Sequence, residues 1–233
     1  MKYHRKHRGF SLVELLVVIA IIALLLSILL PSLGSSRRVA KMMVCATNFR
    51  SLKVANEFYA DESKEWYVPI NGSALGMRIW QYNKLYNHLL ERTVPRGQPG
   101  WELGPLRCPE VPLKLPAISG QRGGAVNVFA WNWTTVSGGY NPSLVRRNKV
   151  VGRQSEIIQG SDCTDWHMNR GYSRYSVWQT YGEMRLWNVA YRHINSLTNV
   201  VYFDGHIESQ SPDEIAIDRV PQEQHLRLWN VYQ

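Results

Sequence analysis

Three sets of residues in this chain are of the types that do chemistry. Glu14 is the single charged residue in an otherwise apolar run from Phe10 to Leu30, about 21 residues long. Cys45, Cys108 and Cys163 are the only cysteines. Asp162, Cys163, His167, His193, Asp204 and His206 place carboxylates, a thiol and imidazoles in the last third of the chain. A carboxylate inside an apolar run needs a cationic partner, because a charge left alone in low dielectric is strongly disfavoured. The third set invites a zinc or hydrolase reading, but its spacings fit no zinc motif, and no GxSxG, HExxH or P-loop pattern occurs. Asp204 reads as a turn residue, and His193 and His206 as hydrogen-bonded sheet or loop residues. No catalytic residue and no metal are assigned. Three cysteines without a CxxC pair are too few for a disulfide framework, although an exported domain can pair two of them and leave one free.

These residues sit on recognisable elements. Residues 1–9 form a basic leader without acids, in which Lys2, Arg5, Lys6 and Arg8 supply four of the nine excess positive charges. The remaining charge is spread over a long domain, whereas a nucleic-acid binder keeps Lys and Arg clustered; nucleic acid is not an expected partner. Residues 10–30 make about 31 Å of helix at 1.5 Å per residue, enough to cross a hydrocarbon core. Cations before the span and none within it keep the N-terminus cytoplasmic and export the rest. The competing reading is a secretory signal peptide cut near Gly34, after Pro31-Ser32-Leu33. The apolar run is longer than a usual signal core, and Glu14 lies inside it. Beyond Pro31, Met42, Cys45, Phe49, Leu52, Ala55 and Tyr59 recur at three- and four-residue steps, so one helix is expected from about Phe10 to Asp61, bent near Pro31.

The stretch Gly9-Phe10-Ser11-Leu12-Val13-Glu14-Leu15-Leu16-Val17-Val18-Ile19-Ala20-Ile21-Ile22 resembles the prepilin signal of type IV pilins and type II secretion pseudopilins. The resemblance implies cleavage between Gly9 and Phe10 by a prepilin peptidase, N-methylation of Phe10, and assembly through Glu14. It also implies a helix kink at Pro31. The physical role of Glu14 follows. Cleavage creates an ammonium on Phe10, and the carboxylate of a neighbouring subunit can neutralise it, so that one pairing gives both recruitment and register.

Further stretches resemble a bacterial pseudopilin-like group: Cys45-Ala46-Thr47-Asn48-Phe49-Arg50-Ser51-Leu52, Tyr59-Ala60-Asp61 followed by Tyr67-Val68-Pro69, Leu106-Arg107-Cys108-Pro109, and Ser137-Gly138-Gly139-Tyr140-Asn141. That resemblance implies Cys45 and Cys108 as a disulfide pair, with Cys163 a spare buried thiol. His193 followed by Asp204-Gly205 resembles the group's H-X9-DG motif, here with ten intervening residues instead of nine. Some pseudopilins hold calcium in a C-terminal loop; Asp213, Glu214 and Asp218 supply oxygens, without a matching ligand pattern.

The globular part, residues 64–233, begins with Pro- and Gly-rich loops and a helix at Ile79–Glu91. It turns β-like from Ala125, with a strand at Glu156–Gln159 and an aromatic loop over 164–190. Asn199–Phe203 and His206–Ser209 flank Asp204-Gly205 as a hairpin with a two-residue turn. Arg227–Asn230 forms a last short element. The expected fold is α+β: leader 1–9, membrane and assembly helix 10–30, exported helix 31–63, and a pilin-like domain with an antiparallel sheet. The expected function is structural, in a type IV pilus-like filament or a type II secretion pseudopilus. Partners are the prepilin peptidase, other subunits and the membrane, with a single pass through the bacterial inner membrane and no enzymatic activity. The alternative is a membrane-tethered or minor-subunit binding module that uses the nine tryptophans against a glycan or protein.

Overall fold

The computed structural model describes residues 11–68, 108–111, 130–132, 146–164, 167–168, 171, 173–182 and 188–229. The leader, Phe10, the helix expected at Ile79–Glu91 and the Gly138–Asn141 stretch lie outside the described residues. So do Trp80, Trp101, Trp133, Trp166 and Trp187.

Helix α1, Leu12–Glu62, is 51 residues long and runs through Pro31, a span of about 76 Å at 1.5 Å per residue. Its two halves differ. From Leu12 to Leu33 every large apolar side chain is exposed. From Met42 onward a stripe of buried residues appears at helical spacing: Met42, Cys45, Phe49, Leu52, Ala55 and Ala60. The helix stops at Ser63, where Lys64 and Glu65 adopt positive φ and the Glu65 N–H turns back to the Ala60 carbonyl at 2.8 Å.

The stripe docks on a five-stranded sheet in the order β3-β1-β2-β4-β5. The strands are β1 (Ala130–Asn132), β2 (Ile158–Ser161), β3 (His167–Met168), β4 (Thr198–Tyr202) and β5 (Ile207–Gln210). β1, β2, β4 and β5 pair antiparallel in turn, and the two-residue β3 joins β1 in parallel at the edge. The expected helix-on-antiparallel-sheet architecture is therefore present. β4 is buried at all five positions because both faces of the sheet are covered. Asn199 reaches the Met42 carbonyl of α1, whereas Val200 and Tyr202 join the opposite core with Ile158, Tyr191, Ile215 and Trp229.

That second cover comes from helices α3 (Pro212–Ile215) and α4 (Gln222–Trp229), aided by Tyr175 and Trp178 of α2 (Tyr175–Tyr181). Trp229 is fully buried and its indole N–H donates to the Ile215 carbonyl at 3.3 Å. Two expectations change here. The aromatic stretch 164–190, read as a loop, contains α2. Its first turn is capped from far away: Asp218 accepts the backbone N–H groups of Tyr175 and Ser176 at 2.8 and 2.9 Å. The hairpin also differs in its turn. Tyr202 N–H reaches the His206 carbonyl and Gly205 N–H the Tyr202 carbonyl, leaving a three-residue loop, Phe203 to Gly205. A two-residue turn of the type expected needs two consecutive positive φ angles, and here only Gly205 supplies one, at 94°.

Candidate functional site

The exposed half of α1 is the first candidate. Glu14 occupies the third position of the helix and forms a capping box with Ser11. The Ser11 N–H donates to Glu14 Oε2 at 2.8 Å, and the Glu14 N–H donates to Ser11 Oγ at 3.2 Å. Two otherwise unpaired donors at the helix start are thereby satisfied, and the carboxylate sits at the positive end of the helix dipole. Sequence reasoning missed this, although Ser11-Leu12-Val13-Glu14 has the S-x-x-E pattern. Oε1 of Glu14 has no partner among the described residues. The apolar helix is long enough to cross a membrane, and none of its most apolar window is buried.

The second candidate is the hairpin tip on the exported half of α1. Lys53 is buried, and its Nζ donates to the Phe203 carbonyl at 2.7 Å and to Glu57. The ammonium also faces the rings of Tyr67 and Phe203 at 5.1 and 5.8 Å. Burial pulls the Lys53 pKa below the usual lysine range, against the opposing pull of Glu57. Gly205 lies over this side chain: a Cβ there would stand 3.6 Å from Lys53 Cε. Arg147 closes the periphery, reaching Glu57 at 3.1 Å, Asp61 at 2.7 Å and Glu65 at 3.5 Å. The Asp-Gly turn is thus the hairpin's docking point on α1. Asp204 itself turns to His206, whose N–H and Nδ1 lie 3.0 and 2.6 Å from Oδ1.

His193 is elsewhere. The structure separates it from Asp204 and places it in a buried cluster with Cys45 of α1, Cys108, and Asp162 at the end of β2. Their nearest donor atoms all lie within 4.8 Å of one another. His193 Nε2 is 2.8 Å from Asp162 Oδ2 and 4.0 Å from Cys108 Sγ, while the Cys45 S–H donates to Asp162 Oδ1 at 3.1 Å. Asp162 is held further by the Asn199 N–H at 3.0 Å and by Arg192 Nη1 at 3.6 Å. The hydrogen bond from Cys45, then those from His193 and the charge of Arg192, bring Cys108 down to about 6. Burial opposes ionisation of His193, yet its bonds to Asp162 and Cys108 raise it to about 9. Burial likewise works against the Asp162 carboxylate, but His193, Arg192 and Cys45 hold it below its ordinary value. The three groups resemble a hydrolytic triad only in composition. Cys108 and Asp162 meet the same ring nitrogen, whereas a relay needs opposite nitrogens, and the cluster is shut from solvent.

Cys45 and Cys108, the implied disulfide pair, meet in this cluster as free thiols; Cys163 is also a buried free thiol. Of the oxygens weighed for calcium, Glu214 caps α3 through the Ser211 N–H at 2.6 Å and Asp218 caps α2, so they face different helices. Among the described tryptophans, Trp229 is core, Trp178 packs on it, and Arg146 stacks over Trp66 at 4.9 Å.

With this geometry in place, the family comparison covers part of the leader and the first stretch of α1. Residues 4–30 match the prokaryotic N-terminal methylation motif. The type IV major pilin protein PilA of Myxococcus xanthus (strain DK1622) is 27% identical over 86 residues, covering 34% of this chain and 39% of that protein. The chain therefore spans about two fifths of the length of the curated relative it matches. No solved structure matches.

Proposed function

We propose that this chain is a structural subunit of a type IV pilus-like filament or type II secretion pseudopilus, assembled through α1 and without enzymatic activity. The prepilin-type motif supports processing by a prepilin peptidase between Gly9 and Phe10, with methylation of Phe10. The chain would then cross the bacterial inner membrane once, N-terminus inside and sheet domain exported, before entering the filament.

The observation that carries this reading is the contrast along α1. Its first 22 residues are all exposed and carry one carboxylate, while from Met42 onward the helix is stitched into the sheet domain. An apolar helix exposed on every side is satisfied by lipid or by other helices, and a carboxylate on it is satisfied by a cation. Glu14 keeps one oxygen available after capping its own helix, and the ammonium of a processed Phe10 on a neighbour would supply the cation.

The test replaces the charge while sparing the fold. Glu14→Val should still fractionate with membranes but be absent from sheared filaments. Ser11→Ala, which removes half of the capping box and keeps the carboxylate, should still be incorporated. Incorporation of Glu14→Val at the wild-type level would overturn the assembly role of Glu14.

A further inference from the structure

We infer that Cys45, Cys108, Asp162 and His193 form a tetrahedral site for a structural zinc ion that pins α1 to the sheet domain. The donor set suits zinc: two thiolates, one imidazole and one carboxylate are borderline-soft ligands of the types zinc takes. The geometry is close to what the ion needs. With Zn–S of about 2.3 Å and Zn–N or Zn–O of about 2.0–2.1 Å, the edges of the tetrahedron run from roughly 3.3 to 3.8 Å. His193 Nε2 lies 2.8 Å from Asp162 Oδ2 and 4.0 Å from Cys108 Sγ, and Cys45 Sγ lies 3.1 Å from the other carboxylate oxygen, Oδ1; each distance is within about half an ångström of that range, and one ligand atom from each residue lies within 4.8 Å of the others.

Two features distinguish this cluster from an ordinary buried ion pair. The first is a proton conflict at His193 Nε2, which lies 2.8 Å from Asp162 Oδ2 and 3.1 Å from the Asn199 amide nitrogen. A protonated Nε2 serves Asp162 but opposes the Asn199 N–H; an unprotonated Nε2 serves Asn199 but opposes the carboxylate. A cation shared by Nε2 and Asp162 removes the repulsion between imidazole lone pair and carboxylate. The second is charge. Once metal binding has displaced the protons, two thiolates and Asp162 carry three negative charges, which Zn2+ and the adjacent Arg192 neutralise in full, as a buried site requires.

A Cys45–Cys108 disulfide would leave the conflict at His193 Nε2 in place, and the Cys45 S–H that now donates to Asp162 would be lost. Binding releases the Cys45 thiol proton and the proton shared between Cys108 and His193 Nε2 to solvent, as two sulfurs and the imidazole nitrogen take the metal, with no change in oxidation state. The supporting shell is present: Asp162 is anchored through its own N–H to the Asn199 carbonyl at 3.0 Å and through its carbonyl to the Ala190 N–H at 2.9 Å. Because the four ligands come from four separate segments, loss of the ion would loosen α1 from the sheet.

The experiment uses the full chain in detergent, purified under reducing, anaerobic conditions and dialysed against buffered micromolar Zn2+. Elemental analysis should give one zinc per chain, and Co2+ in its place should show thiolate charge-transfer bands with the intense visible bands of a tetrahedral site. Cys108→Ala and His193→Gln should each lower the metal content at least tenfold, whereas Cys163→Ala should keep one equivalent. Zinc below one tenth of an equivalent in the folded wild-type chain would overturn the proposal. So would recovery of Cys45 and Cys108 as one cross-linked peptide from a second preparation made without reductant and alkylated at lysis.

Discussion

Substituting Lys53 with Met probes how α1 holds the hairpin. The side chain matches lysine as far as Cε, so only the space of the terminal nitrogen opens, and the ammonium is lost. Breaking a buried ion pair by removing one partner costs about 3–5 kcal/mol where the other charge is left stranded. Glu57 is not stranded: its side chain is 35% exposed and Arg147 remains 3.1 Å away. What loses its partner is the Phe203 carbonyl, held by Nζ at 2.7 Å; an unsatisfied buried acceptor costs about 1–3 kcal/mol. Relief of the desolvated ammonium offsets part of this, so a net loss of about 1–2 kcal/mol is expected. For a chain of this size that is roughly 2–8 °C in Tm, readable by tryptophan fluorescence of the full chain in detergent. The pH profile gives a second check. The Lys53 pKa is lowered in the folded state, so its contribution is greatest above the unfolded lysine pKa and is lost as pH falls through the folded value. The wild-type advantage over Lys53→Met should therefore widen as pH rises toward the unfolded lysine value. A Met variant as stable as wild type, or more so, would refute the view that this bond docks the hairpin.

Gly205→Ala should cost about 1–2 kcal/mol from its left-handed backbone alone, since the added Cβ finds only ordinary contact with Lys53. Gly152→Ala, also at positive φ and facing open space, should cost the same; a much larger loss at Gly205 in denaturant unfolding would mean that Lys53 cannot adjust. Leu52→Ala, at a fully buried position on α1, should lose about 2–5 kcal/mol. Leu26→Ala, on the exposed half of the same helix, should leave unfolding of the sheet domain unchanged by the same measurement.

What was legible in the sequence was local. The run from Phe10 to Leu30 and the three- and four-residue spacing from Met42 to Tyr59 define α1, because helical periodicity survives in one dimension. Asp204-Gly205 marked the hairpin, although a single positive φ changed the turn from the one expected. Two capping boxes, Ser11 with Glu14 and Ser211 with Glu214, were written as S-x-x-E patterns and overlooked in favour of membrane and calcium readings. Non-local contacts left no such trace. α2 takes its cap from Asp218, about forty positions later. In the buried cluster, bonded partners stand 31, 85 and 117 positions apart. Metal motifs are recognised by short spacing, so a site gathered by the fold from four segments is silent until the sheet closes on the helix.

The central claim is that the mature chain begins at a processed Phe10 and that α1 serves as the assembly surface. The mass of the N-terminal peptide from the chain isolated out of its own cells tests this most directly. The account predicts a peptide that begins with N-methylated Phe10 and lacks residues 1–9. A mature chain beginning at Ser35, with the apolar helix removed, would contradict it.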